Sequence, residues 1–253
     1  CFLRQSLEAA RSVTSDIDVH ERIMRDVLRM TADMNLDRPP PILAQVVHRR
    51  LRELMGGRDP YLAAKTRFNR LALAALTELR KTVRAACDPL RTAARLAVAA
   101  NAIDMGVSSN LTEADVLSAL RGLPKEEPHG DWSKFLAAAA QAKDILYLAD
   151  NAGEIAVDRL AIEVLGPGRI TLAVRGGPVL NDATMQDARQ VGLHEIVPVI
   201  DNGSDAPGTL LDDCSPAFLQ RFDRADLIIS KGQGNFESLS GARDNIAFWF
   251  KVK

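Results

Sequence analysis

In the stretch DILYLADNAGEIAVDRLAIEVL, Asp144 to Leu165, three patterns follow one another without a break. Ile145 to Ala149 is a short apolar run with polar flanks, the pattern of a buried strand. Asp150, Asn151, Gly153 and Glu154 then form a polar elbow. Beyond it, to Leu165, apolar residues recur at the spacing of an amphipathic helix. A strand that runs into a helix through such an elbow puts the polar groups at the carboxyl end of a sheet, where open α/β folds bind their ligands.

Downstream the rhythm repeats. Ile170 to Val174, Ile196 to Ile200, Leu227 to Ser230 and Ile246 to Val252 read as further strands, with helices predicted over 153–165, 182–191 and 215–224. Such alternation predicts βαβ units with right-handed crossovers. The expected fold class is α/β: a Rossmann-like, mostly parallel sheet with flanking helices, plus an all-helical N-terminal region. The strand tips at Asp150, at Arg175-Gly176-Gly177, at Asp201-Asn202-Gly203 and at Lys231-Gly232 then share one edge of the sheet.

Upstream, helical spacing predicts Phe2 to Val13 and a second helix capped by Asp16 or Asp18. Pro39-Pro40-Pro41 ends that helix, and Pro41 suits the first turn of the next, which Gly56-Gly57 terminates. Tyr61 to Ala86, with its Lys and Arg on the outer face, and Leu90 to Met105 complete the set. Arg49, Arg50, Arg52, Arg80, Lys81 and Arg84 read as solvated helix faces, and His20 and His48 as surface or satisfied, partly buried residues. Asn101 and Asp104, three apart, share a helix face. Thr112 suits the N-cap of a short helix to Leu120. The polar connector Gly122 to Gly130 marks a boundary between a helical region, 1–130, and an α/β domain, 131–253, packed as one unit.

The totals narrow the function. The chain has 253 residues, 47% hydrophobic and 26% charged, with a net charge of -1. That is the make-up of a globular protein without a general basic field for nucleic acid or anionic membrane. Aromatics are 5% of the chain, too few for a single-strand stacking platform. Cys1, Cys87 and Cys214 have no metal spacing, and a reduced, cytoplasmic setting is expected. No signal peptide or membrane-spanning run is read. Residue 1 is Cys rather than Met, which implies processing or a preceding segment, and the apolar end of the chain reads as either a native or a clipped C-terminus.

Asp150, Asn151 and Asp182 offer two carboxylates and an amide oxygen, hard donors suited to Mg²⁺ or Mn²⁺ rather than to Zn²⁺. On spacing alone, Asp150-Asn151 reads equally as an ordinary turn and Asp182 as a helix N-cap. The loop Ser230-Lys231-Gly232-Gln233-Gly234-Asn235-Phe236-Glu237 follows a strand directly. Its glycines admit an anion to the backbone, and Lys231 adds positive charge. Neither GxGxxG nor a Walker loop is present, and no nucleophile–base set stands out.

Taken in order, Asn101-Ala102-Ile103-Asp104, Asp150-Asn151-Ala152-Gly153-Glu154, Asn181-Asp182-Ala183-Thr184 and Lys231 to Glu237 resemble the signature blocks of the DUF89 family, the damage-control phosphatases that include the ARMT1-like proteins. Cys1-Phe2-Leu3-Arg4-Gln5 resembles the end of the Cys-x-x-Cys segment of the family's prokaryotic, single-domain branch. The resemblance implies a metal-dependent phosphatase for small phosphorylated metabolites, such as sugar phosphates or damaged phospho-cofactors. It implies a divalent metal (Mn, Co, Ni or Mg) on Asp150, Asn151 and Asp182. It further implies substrate contacts at Asn101, Asp104, Lys231, Gly232, Gly234 and Asn235, with Asp150, Glu154 and Lys231 in catalysis. The chain departs from the family in having one cysteine of the pair, in Ala100 where glycine is common, and in lacking the Arg-Thr of the eukaryotic Arg-Thr-x-Lys motif near Lys253. The rival readings are a non-catalytic metal or sugar-phosphate regulatory module and a Rossmann-like methyltransferase.

Overall fold

A computed structural model of the chain describes residues 2–35, 37–102, 114, 118 and 129–251. Asp104, Thr112, most of the helix to Leu120, most of the 122–130 connector, Cys1, Val252 and Lys253 lie outside the described residues. Five helices come first: α1 (Phe2–Val13), α2 (Ile17–Ala32), α3 (Pro40–Leu54), α4 (Leu62–Ala85) and α5 (Pro89–Ala102). Asp16 caps α2, its carboxylate accepting the Asp18 N–H at 2.9 Å. Then follow α6 (Trp132–Gln141), β1 (Ile145–Leu148), α7 (Glu154–Leu165), β2 (Ile170–Val174), α8 (Met185–Gln190), β3 (Val199–Asp201), α9 (Pro216–Arg224), β4 (Leu227–Lys231), α10 (Gln233–Leu239) and β5 (Ile246–Trp249).

The strands form one parallel sheet in the order β3-β2-β1-β4-β5. The chain moves outward from β1 to β3 and then crosses back to lay β4 on β1's other side, so the topological switch lies between β1 and β4. β1, β2 and β4 are buried along their whole lengths, as expected of parallel strands covered on both faces. Alternate residues feed two cores. Ile145, Tyr147, Leu172 and Ile229 pack with α4, α5 and α7. Leu146, Leu148, Ala173 and Ile228 pack with Phe218 and Phe222 of α9 and Leu239 of α10. A third, smaller core of Ile23, Val27, Val47 and Leu51 holds α1, α2 and α3 together.

Several expectations are corrected. β3 begins at Val199, because Leu193–Glu195 wind into a 3₁₀ turn and Pro198 has no N–H for a ladder. The 182–191 helix starts at Met185, with Thr184 rather than Asp182 at its cap and Asp187 accepting the Thr184 N–H at 2.9 Å. Gln233 to Glu237, read as the end of a loop, belong to a two-turn helix, Gln233–Leu239, whose Gly and Asn mask the pattern. The basic residues of α3 and α4 are not all solvated: Arg52 pairs with Asp205, Arg80 pairs with Glu163, and Lys65 is buried against Asp187. His48 is buried as well, its Nε2 without a partner among the described residues.

Candidate functional site

The carboxyl ends of β1, β2 and β4 meet beside the switch point. The elbow after β1 and the segment after β2 are joined backbone to backbone. Asn151 and Asp182 form an antiparallel bridge. The Ala152 N–H donates to the Asn181 carbonyl at 2.8 Å, and the Ala183 N–H donates to the Asp150 carbonyl at 2.7 Å. The Arg175 N–H donates to the Ala183 carbonyl at 2.9 Å and anchors the segment to β2. Asp150, Asn151 and Asp182 are therefore brought together by main-chain geometry.

Their side chains sit in a polar network. Asp150 Oδ2 accepts from the Asn101 amide at 2.8 Å and the Asn151 amide at 2.7 Å. Both amides also donate to Glu154 Oε2, at 2.9 and 3.2 Å. Asp182 accepts from Arg175 Nε at 2.7 Å, and Arg175 also approaches Asp150 Oδ1 at 3.8 Å. Deeper still, the Lys231 ammonium donates to Glu154, to Asp158 at 2.7 Å and to the Ala97 carbonyl at 3.1 Å. The Tyr147 hydroxyl donates to Asp158 at 2.9 Å.

In this cluster four carboxylates, Asp150, Glu154, Asp158 and Asp182, face two cations, Lys231 and Arg175. The imbalance shows in the proton affinities. Burial, and then the charges of Glu154 and Asp182, pushes Asp150 well above the usual carboxylate range. Burial also raises Asp182 against the pull of Arg175, and raises Asp158 to about 6 against the pull of Lys231. For Lys231 the balance reverses: burial draws the ammonium down, Asp158 and Glu154 outweigh it, and it stays charged.

The expected residues thus take different places. Asp150, Asn151, Asp182, Glu154 and Asn101 converge. Lys231, expected to meet phosphate in an open loop, points inward and is fully buried. The reason is the pairing just described, which holds its ammonium among acids in α7. Asn235 is also fully buried: its amide donates to the Lys231 carbonyl at 2.8 Å, and its oxygen accepts from Thr209 at 2.8 Å and Arg175 at 3.1 Å. Gly232 has φ 84 and ψ 157, and a Cβ there would overlap the Asp150 carboxylate. A Cβ on Gly234 would overlap the Pro207 carbonyl. Close packing accounts for both glycines.

Among the described residues, no three His, Cys, Asp or Glu side chains form a metal-holding group. The donor set here is two carboxylates and an amide, the oxygen-rich chemistry of Mg²⁺ or Mn²⁺. It fits such an ion in charge, since four carboxylates share two cations among the described residues. It fits in form when the Asn151 amide, which presents nitrogen to Asp150, is turned to present oxygen.

Sequence reasoning passed over Arg175 as a side chain, and Asp158, Tyr147, Lys65 and Asn69 altogether. Two signals were there. Glu154 and Asp158 are four apart on an otherwise apolar helix, and Lys65 and Asn69 are four apart on α4, so each pair shares a face. Arg175 carries no such signal, because a cation at a strand tip is ordinary.

The whole chain, residues 1–253, matches the family model described as the damage-control phosphatase ARMT1-like domain. It is 35% identical to an uncharacterized protein of Methanocaldococcus jannaschii over 97% of this chain and 83% of that one. It is 31% identical to a protein of Archaeoglobus fulgidus named damage-control phosphatase, over 100% of this chain and 90% of that one. A crystal structure of a DUF89 family protein from Pyrococcus horikoshii superposes with a TM-score of 0.90 at 30% identity, covering 100% of this chain and 89% of that one.

Proposed function

This chain belongs to the damage-control phosphatase ARMT1-like family, and from that premise we propose that it is a metal-dependent phosphomonoester hydrolase acting on small phosphorylated metabolites. Sugar phosphates and damaged phospho-cofactors are the substrate classes in view. The observation that carries the reading is the Asn151–Asp182 backbone bridge, which supports a shared site for Asp150, Asn151 and Asp182 in a cluster where four carboxylates share two cations. Those three residues would hold a divalent ion, Mn, Co, Ni or Mg. When bound, the ion supplies charge withdrawal from a phosphate oxygen and a more acidic water.

The chain's own groups supply the rest. Asn101 and Asn151 clamp Asp150 through Oδ2 and leave Oδ1 outside the amide hydrogen bonds. Arg175 keeps one terminal guanidinium nitrogen without a hydrogen-bond partner among the described residues, buried near Asp150. We assign it the role first expected of Lys231, a fixed positive charge for the phosphoryl oxygens as negative charge builds on them. Lys231 and Glu154 act beneath the site, holding Asn101 and Asn151 in place. Hydrolysis forms a bond from a water oxygen to phosphorus and breaks the ester bond, and the departing oxygen leaves as an alcohol after taking up a proton.

The test is a panel of phosphorylated metabolites assayed with each of the four metals and with chelator. Asp150→Ala and Asp182→Ala are expected to lose metal-stimulated hydrolysis by a factor on the order of 10²–10³ or more. Full activity in either variant, or hydrolysis indifferent to chelator, overturns the proposal.

A further inference from the structure

We propose that Asn69 of α4 is a positioning residue that sets the spacing between the two halves of this site; the inference rests on the metal reading above. Asn69 is fully buried. Its Oδ1 accepts the Gly153 N–H at 2.6 Å, and its Nδ2 donates to Asp187 at 2.9 Å and to Gln190 at 2.8 Å. One planar amide therefore spends its acceptor on the elbow after β1 and both its donors on α8, after β2. These are the two segments that carry Asp150-Asn151 and Asp182.

Each end is a point where position matters. Gly153 stands at the N-cap of α7 with φ 78 and ψ -52, and with no side chain of its own to cap the helix. The oxygen that holds its N–H comes instead from α4. Asp187 uses Oδ2 to accept from the Thr184 N–H and hydroxyl at 2.9 and 2.8 Å, which fixes the turn just after Asp182. Lys65, one helical turn before Asn69, pairs with the same Asp187 at 2.9 Å. Gln190 in turn donates to the Thr66 carbonyl of α4 at 3.1 Å. A single 24-residue helix thus grips both segments, and the only side chain that touches the two at once is Asn69 among these contacts.

The chemistry is specific to an amide. A carboxylate at 69 keeps the bond to Gly153 but faces Asp187 with like charge. An aliphatic group of the same size keeps neither. Asn69 contacts none of the three proposed ligand side chains among its hydrogen bonds, so its effect must pass through the backbone it holds.

The experiment measures Mn²⁺ binding to metal-free protein by the loss of the free-ion electron paramagnetic resonance signal, alongside thermal unfolding without metal. Asn69→Leu is expected to weaken Mn²⁺ binding on the order of 10–100-fold, the usual effect of removing a partner that orients metal ligands. Asn69→Asp should fall between it and the wild type, and serves alone if the Leu variant does not fold. KM at saturating metal should change little. Mn²⁺ affinity within twofold of wild type in a folded variant overturns the inference, even when the unfolding temperature drops, since a purely structural role predicts that combination. Failure of the wild type itself to bind Mn²⁺ overturns the metal reading first, and the role of Asn69 with it.

Discussion

Gly232→Ala adds one methyl group, and the structure says where it goes. The residue has φ 84 and ψ 157, a region that only glycine occupies without strain, so alanine there costs about 1–3 kcal/mol. The new Cβ would stand 2.6 Å from Asp150 Oδ1 and closer to the rest of that carboxylate. Restoring van der Waals distance displaces the carboxylate by about 1 Å. That breaks its hydrogen bonds to Asn101 and Asn151, each worth about 1 kcal/mol. The expected total is a destabilisation of about 3–5 kcal/mol, read by urea denaturation. Any phosphatase activity should fall by a factor on the order of 10², the effect of an ångström's misplacement at a reacting centre. Gly168→Ala is the control, since a Cβ there meets nothing within 4 Å, and it should stay within about 0.5 kcal/mol of wild type. A Gly232→Ala protein that matches the control in stability and activity refutes the claim that this glycine exists to make room for Asp150.

Three further outcomes follow from buried charges. Lys231→Met leaves Glu154 and Asp158 buried without their cation and should cost about 3–5 kcal/mol in chemical denaturation; a loss under about 1 kcal/mol would mean that the pairing is not what holds this core. His48 is held near pH 4, by burial and then by Arg52, against 6.5 when free. The unfolded chain therefore binds the extra proton first, and stability should fall by about 3 kcal/mol as pH drops from 6.5 to 4; unfolding curves of His48→Leu should show a correspondingly shallower pH dependence. Arg52 donates to the Pro178 carbonyl and pairs with Asp205, joining α3 to two loops at the sheet edge. Arg52→Met should cost about 2 kcal/mol and speed proteolysis within 176–180; unchanged cleavage there would show that the loop is held by other contacts.

The α/β class, the parallel sheet and the edge on which the site lies follow from local pattern. Fully buried strands of four or five apolar residues, each followed by a turn and a helix, have few other ways to pack, and β2 at Ile170–Val174 matches its expected bounds. The polar elbow Asp150 to Glu154 was legible for the same reason, because polar groups at the end of an apolar strand stand out against it. Asn101 could be placed near it only through the resemblance, since its spacing says no more than that it shares a helix face.

Side-chain direction was not legible. Lys231 ends a strand whose neighbours suggest an open loop, yet it turns into the core because α7 presents Glu154 and Asp158 on one face beneath β4. Arg175 and Asn235 are ordinary residues for a strand tip and a turn until Asp182 and Thr209, distant in sequence, come to meet them. Asn69 shows the limit most clearly: it lies 84 residues before Gly153 and 118 before Asp187, and only the packing of α4 across both segments gives its amide something to do. Periodicity reports which face of an element is buried, and that determined the sheet and its edge. Which buried polar groups touch depends on helices crossing from elsewhere in the chain, and that was decided by the tertiary structure alone.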